Sequence, residues 1–293
     1  MYPDTLAFVL GEDFMPEAGG VELKVDEVLA AKNREDFLKA HKKEISQMTK
    51  RRFVQPDSES AKSPMYVPVA QLTDDQKKKA LPCRLSYTRK RPEGDTEEEG
   101  DAKARLVAKD LKCKYTKPRA TTYSGVPTSE GFRLVIASTD IEKGDELSST
   151  DFDTAFLQSF KWKDGKLVLI SYYDAFLKET VYEWIDGVIY GMQGSRDWQN
   201  TLAYIMTTNL NFKKVKNMES MYYNAEHQVT VPCHVDDPLV KARGSENTKW
   251  FHQEINKLLD TKGERLLTPG GSVLDYLSII ISCTDTRWRH LPG

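Results

Sequence analysis

Residues 228–240, QVTVPCHVDDPLV, form a mostly apolar, strand-like run that carries two adjacent carboxylates, Asp236 and Asp237, between Val235 and Leu239. An ionised carboxylate is costly to bury unpaired, and two side by side repel each other. The run is therefore either the tip of a hairpin, where the charges are solvated, or a place where something cationic sits.

The rest of the chain sets the frame for that choice. At 293 residues, 39% hydrophobic and 29% charged, it is long enough for one large or two ordinary domains with a real core. No stretch approaches the roughly 18 to 20 apolar residues that span a bilayer. The opening residues, MYPDTLAFVLGEDFMPEAGG, lack the basic start and apolar core of a signal peptide. The expectation is a soluble, intracellular protein with no membrane partner. Cys83, Cys113, Cys233 and Cys283 lie 30, 120 and 50 residues apart, so no CxxC pair exists and structural zinc or a disulfide framework is not expected. The net charge of −2 argues against coating nucleic acid by bulk charge. Its distribution is uneven, however: the stretch from Lys103 to Arg119 holds seven basic residues against one acid, Asp110. Such a block is either a solvated surface or a stripe that contacts phosphates.

Periodicity places the elements. Residues 1–22 show none and read as a loosely ordered tail. NREDFLKAHKKEISQM puts Phe37, His41, Ile45 and Met48 on one helical face behind Asn33 as cap, with His41 a packed side chain rather than a ligand. LPCRLSYTRK and AKARLVAK read as a hairpin joined by the long acidic connection RPEGDTEEEGD. TSEGFRLVIAST reads as a short helix, and ELSSTDFDTAFLQSF as a strand ending at Asp151 and Asp153. SRDWQNTLAYIMTTNL sets Trp198, Leu202, Ile205 and Met206 at helical spacing. SENTKWFHQEINKLL does the same with Phe251, Ile255, Leu258 and Leu259 behind Ser245 as cap. ESMYYNAEHQVTVPCHVDDPLV alternates like paired strands, and SVLDYLSIIIS reads as one more strand. Strands and helices mix without βαβ repetition, so the fold class is α+β.

Asp151 and the Asp236–Asp237 pair each end an apolar strand-like segment, and strand ends distant in sequence can be neighbours in a sheet. Three converging carboxylates would repel unless divalent cations neutralised them. An oxygen-only site of this kind suits Mg²⁺, which binds through one or two carboxylates plus substrate phosphates. Two such ions would serve phosphoryl transfer. The alternative is that these are acids in solvated turns.

Taken in order, DFDTAFL, IYGMQGSRDW, HVDD and LDYLS resemble the reverse transcriptase domain of copia-type LTR retrotransposons, which reads approximately D-V-x-x-A-F-L, L-Y-G-L-K-Q-x-P-R-x-W, Y/H-V-D-D and Y-L-G at those points. LPCRLSYTRK with KARLVAK resembles the family's finger strands, and DFLKAHKKEISQM its leading helix. The resemblance covers roughly residues 24 to 283. It implies a right-hand polymerase with fingers mainly at 23–144 and palm mainly at 145–287, a finger contribution near 165–197, and a tail at 288–293. The palm is expected as an antiparallel sheet with helices packed on one face, and the thumb as absent or incomplete.

Residue by residue, the resemblance makes Asp151, Asp236 and Asp237 the catalytic, metal-binding aspartates for two Mg²⁺ (or Mn²⁺) ions. Phe156 matches the aromatic under the sugar of the incoming dNTP, its alternative being a plain core side chain. Gln193 matches a glutamine near that sugar, and Lys103 or Arg105 would meet the triphosphate. Tyr276, Leu277 and Ser278 match the segment that supports the primer end. The implied partners are an RNA or DNA template with primer, and the implied location is a cytoplasmic virus-like particle or the nucleus.

The chain also departs from the family pattern. IYGMQGSRDW is one residue shorter between Tyr190 and Arg196 and lacks the proline; Ser278 replaces glycine and His234 the commoner tyrosine. Pro238 follows the carboxylate pair, where a proline fits only an edge or a bulge. The short stretch after Cys283 carries the expectation that the chain as given polymerises poorly. Against the polymerase therefore stands a non-catalytic relic or co-opted fragment that binds nucleic acid or a partner. A different phosphotransferase would need a GxxxxGK[ST] loop, which the sequence lacks.

Overall fold

The structure is a computed structural model that describes residues 20–48, 71–90, 100–109, 125–162, 166–192, 195–267, 274–276, 279–284 and 287–292. Among these residues the architecture is mixed α and β, in two compact units.

The first unit comprises Met1–Thr49, Met65–Lys109 and Val168–Trp184. Its sheet is built on the hairpin β2 (Leu81–Lys90) and β3 (Ala102–Ala108), antiparallel in the register Cys83↔Ala108 to Arg89↔Ala102. That realises the hairpin read from the sequence; most of the acidic connection, 91–99, lies outside the described residues. β1 (Gly20–Leu23) pairs antiparallel with β2, so a strand begins inside the segment read as tail. β5 (Val168–Asp174) joins β2 in parallel at Leu81↔Ile170, and β6 (Glu179–Ile185) neighbours β5. Among the described residues, three helices belong to this unit: α1 (Val25–Ala30), α2 (Arg34–Met48) and α3 (Asp74–Lys79). α3 starts with a reciprocal cap, Thr73 Oγ1 accepting from Gln76 N–H at 3.2 Å and Gln76 Oε1 from Thr73 N–H at 2.8 Å.

α2 buries a face slightly rotated from the one read in the sequence. Phe37, His41, Glu44 and Met48 are inside while Ile45 is only half-buried. Glu44 is tolerated there because its Oε1 accepts the Leu106 N–H of β3 at 2.8 Å. His41 is packed, as expected: its Nδ1 meets Tyr87 Oη at 2.9 Å and its Nε2 meets Asp174 Oδ2 at 3.0 Å. Asp174 Oδ1 in turn accepts from the N–H groups of Phe176 and Leu177, closing the turn between β5 and β6.

The second unit comprises Lys50–Pro64, Asp110–Leu167 and Ile185–Gly293. Its strands are β4 (Asp145–Phe152), β7 (Lys213–Lys214), β8 (Met221–Asn224), β9 (Val229–His234), β10 (Asp237–Arg243) and β11 (Thr261–Leu267). They form one six-stranded sheet in the order β11-β4-β10-β9-β8-β7, antiparallel at each neighbour. Its helices are α4 (Ser129–Ala137), α5 (Ser195–Tyr204), which runs on into a π-turn over Ile205–Asn209, and α6 (Ser245–Leu258). Gly244, with φ +83°, precedes α6 as its cap, so Ser245 is the first helical residue and not the cap the sequence suggested.

Alternation along the strands sorts the core onto both faces of this sheet. Phe152, Val240 and Ala242 pack with Trp198 and Leu202 of α5 and Phe251 and Ile255 of α6. Leu147 and Leu239, on the opposite face, pack with Phe132 and Ile136 of α4 and with Tyr276 and Ile281. The expectation of helices on one face is thus corrected. α4 is amphipathic, and its Phe132 and Ile136 are buried against the second face. SVLDYLSIIIS also divides, into β12 (Leu274–Tyr276) and β13 (Ile279–Thr284) of a three-stranded sheet with β14 (Arg287–Pro292), so the segment read as a terminal tail contributes a strand.

Candidate active site

The strand order sets the site. β4 and β10 are neighbours, with Leu239↔Ser149 in register, and the Phe152 N–H donates to the Asp236 carbonyl at 2.9 Å. Continued two residues past Leu239, as the Phe152–Asp236 bond requires, that register brings Asp151 across from Asp237, on the face shared with Leu147 and Leu239. Ser148, Ser149 and Thr150 are buried just before Asp151; their small side chains keep the middle of the sheet closed while the strand end carries the charge.

β9 and β10 are joined through Val235 and Asp236, with His234↔Asp237 closing the turn. Val235 has φ +55°, a conformation that a β-branched residue adopts only at a cost of order 1–3 kcal/mol. Asp236 does not share the positive φ, a sign pattern that fits a type II′ hairpin turn, where glycine is usual in the first position. The turn is held from both sides. The Trp198 indole N–H donates to the Val235 carbonyl at 2.7 Å, and the Tyr276 hydroxyl donates to the Asp237 carbonyl at 2.6 Å. Burial first, then the neighbouring Cys233 and Asp237 side chains, holds the Tyr276 phenol well above its ordinary pKa, so it remains a donor. Burial likewise pushes up the Cys233 thiol, reinforced by Asp236 and Asp237, and lowers the His234 imidazole.

Pro238 sits within β10, between two neighbouring strands, and not at the edge or bulge that the sequence suggested. The regular ladder to β4 runs from Leu239 onward, one residue past the proline, which has no N–H to give.

The expected convergence of all three aspartate side chains is not found. Among the described residues, no three His, Cys, Asp or Glu side chains are grouped to hold a metal ion. Two causes are visible. Asp236 lies in the turn while Asp237 starts the strand, and adjacent side chains diverge. Asp151 is also engaged on its other side: Lys262 of β11, paired with it in register, places its Nζ 3.1 Å from Asp151 Oδ2 and 3.2 Å from Asp153 Oδ1. Partial burial opposes the charge on Lys262, but the two carboxylates outweigh it and raise its pKa. These carboxylates therefore already attract a cation, and their hard oxygen donors are of the kind a divalent metal ion takes.

The chain after β4 is fixed by Gln158, whose Nε2 donates to the carbonyls of Asp153 and Asp260 at 2.6 and 2.9 Å. Its Oε1 accepts from Asp260 N–H at 2.7 Å. Phe156, on the short 3₁₀ turn Ala155–Gln158, is half-buried and meets the Tyr190 ring edge-on at 5.4 Å. Lys103 and Arg105 lie on β3 of the first unit, on one face of the strand and half-buried. Tyr276 is buried, with its hydroxyl on the carboxylate hairpin. Gln193, Leu277 and Ser278 lie outside the described residues, as does the basic block beyond Lys109. Sequence reasoning set Trp198 on a helical stripe but gave it no part in the site, and it did not single out Lys262. A buried indole N–H needs an acceptor, and that was the available signal for Trp198; Lys262 gave none.

No curated protein matches this chain. Among solved structures, telomerase from Candida albicans in complex with a fragment of telomeric RNA is similar at 10% identity, TM-score 0.46, over 78% of this chain and 49% of that one. Apo telomerase from Candida tropicalis, truncated from its C-terminal domain, is similar at 10% identity, TM-score 0.41, over 72% of this chain and 55% of that one. The chain thus spans about half the length of the telomerase chains it matches. The family described as reverse transcriptase (RNA-dependent DNA polymerase) matches residues 68–280, most of the chain, and the chain belongs to that family.

Proposed function

We propose that this chain is the RNA-directed DNA polymerase domain of a copia-type retrotransposon, joining a dNTP to a primer 3′-hydroxyl on an RNA or DNA template. The observation that carries the reading is the register of β4 and β10, which sets Asp151 beside Asp237 at the centre of an antiparallel sheet, in a chain of reverse transcriptase ancestry. In this reading the first unit is the fingers and the second the palm. Asp151, Asp236 and Asp237 would hold two Mg²⁺ or Mn²⁺ ions, which supply charge neutralisation at the triphosphate and a more acidic primer hydroxyl.

The remaining residues bind and orient. Phe156, braced by Tyr190, floors the sugar pocket and excludes a 2′-hydroxyl, with Gln193 beside the sugar. Lys103 or Arg105 meets the triphosphate through charge-assisted hydrogen bonds. Tyr276 supports the primer end together with Leu277 and Ser278, and it holds the carboxylate hairpin through its hydroxyl.

The test is primer extension on poly(rA)/oligo(dT) with Mg²⁺ or Mn²⁺. Extension that disappears in Asp151→Asn and Asp237→Asn supports the reading. One observation favours a second reading, a non-catalytic, co-opted fragment: Asp151 is engaged by Lys262 and no three-carboxylate group is formed among the described residues. Nucleic-acid binding without extension by the wild-type chain would establish that reading.

A further inference from the structure

We propose that Lys262 is a built-in counter-cation of the aspartate site, occupying the Asp151 and Asp153 carboxylates in the metal-free protein and yielding them to a divalent ion. This rests on the reading that Asp151 is a metal ligand. Three strands supply the arrangement: Lys262 on β11 is paired with Asp151 on β4, and Asp237 on β10 lies across from Asp151 on its other side. A cation and two carboxylates thus form one row across the sheet. The ammonium reaches both Asp151 and Asp153, at 3.1 and 3.2 Å.

The backbone is shaped for that reach. The register of β11 against β4 shifts between Lys262 and Arg265, and Gly263, next to the lysine, has φ +67°. A bulge with glycine in the left-handed region re-aims the neighbouring side chain and is costly for any other residue. The lysine side chain remains 52% exposed. It can therefore swing into solvent on its flexible stem without breaking a core. An ion pair this exposed is weak, whereas like-charged carboxylates left without a cation repel. The lysine thus lowers the cost of the empty site and competes only mildly with a divalent ion.

The experiment measures Mn²⁺ binding to the full chain by the electron paramagnetic resonance signal of free Mn²⁺, without nucleotide or nucleic acid, together with melting temperature in chelator and in Mn²⁺. Lys262→Met is expected to tighten Mn²⁺ binding by about 2- to 10-fold, the scale of one exposed ion pair. It is also expected to melt lower than wild type in chelator, with Mn²⁺ closing the gap. Arg265→Met, which removes a charge from the same strand beyond the bulge, should leave the affinity unchanged. Unaltered or weaker binding by Lys262→Met, or equal tightening by Arg265→Met, overturns the proposal. Asp151→Asn separates the two levels. If it abolishes binding while Lys262→Met changes nothing, only the lysine inference fails. If wild type and Asp151→Asn bind alike, or neither binds, the metal-site reading fails and this inference with it.

Discussion

The indole N–H of Trp198 donates to the carbonyl of Val235 at 2.7 Å, tying a helix to the first residue of the turn that carries Asp236. Val235 is held there with φ +55°, which the turn sustains only while its surroundings over-determine it. Trp198 is itself fixed by burial and by an edge-on contact with Phe152 of β4, so the strand bearing Asp151 and the turn bearing Asp236 share one anchor.

Removing that donor should loosen the turn. Trp198→Phe is expected to cost about 1 kcal/mol, because the half-buried Val235 carbonyl keeps the Cys233 thiol as a weak donor, and Tyr276→Phe, which releases the Asp237 carbonyl, about 1 kcal/mol. The two bonds hold one turn, so the double variant should deviate from additivity by about 0.5 kcal/mol or more. Urea unfolding of the four proteins measures this, and strict additivity would show that the two contacts act independently.

Substrate choice gives a second check. Phe156→Val shortens the half-buried ring that meets Tyr190, so ribonucleotide incorporation should rise by about tenfold or more while deoxynucleotide incorporation changes little, the steric clash being worth at least one kcal/mol-scale contact. Single-nucleotide extension with dTTP and UTP reads the ratio. A variant that is active with unchanged discrimination refutes the role of Phe156.

Stability should fall on mild acidification. Burial lowers the pKa of His252 below 6.5, with Glu264 partly offsetting it, while its Nε2 meets Ser148 Oγ at 2.9 Å. The folded chain keeps this imidazole neutral where the unfolded chain already binds a proton. The loss therefore begins as pH drops through about 6.5 and is complete below the folded value. Melting temperature between pH 8 and 5 should show it, and His252→Gln should flatten the slope. An equally steep slope in that variant assigns the effect to other groups.

In the first unit, Glu44→Ala should cost about 1–3 kcal/mol, because the Leu106 N–H loses its acceptor inside the core. Glu44→Gln retains an acceptor oxygen and should be milder. Thermal melts distinguish the two, and equal losses would show that the charge matters and not the hydrogen bond.

Local pattern sufficed for much of this protein. Two-residue alternation marked β9 and β10, strand-like runs about an acidic connection marked β2 and β3, 3.6-residue periodicity marked α2, α5 and α6, and the placement of Asp151, Asp236 and Asp237 at strand ends was readable because charge interrupts apolar runs. The ordered motifs also carried the family. Other features failed to show because they depend on partners distant in the chain. Glu44 looked like a solvent-facing helix residue until β3 supplied the N–H that it accepts. Val235 looked like an ordinary strand residue until Trp198 and the hairpin fixed its φ. α4 lay on the unexpected face because amphipathicity says that one side is buried and not against which surface.

The site divides in the same way. Sequence by itself determined which residues carry charge and which local backbone presents them. Only the tertiary structure decided that β4 lies between β11 and β10, and so that Asp151 has Asp237 on one side and Lys262 on the other. Strand order within a sheet is selected by the packing of both its faces and by chain connectivity, which no window of neighbouring residues encodes.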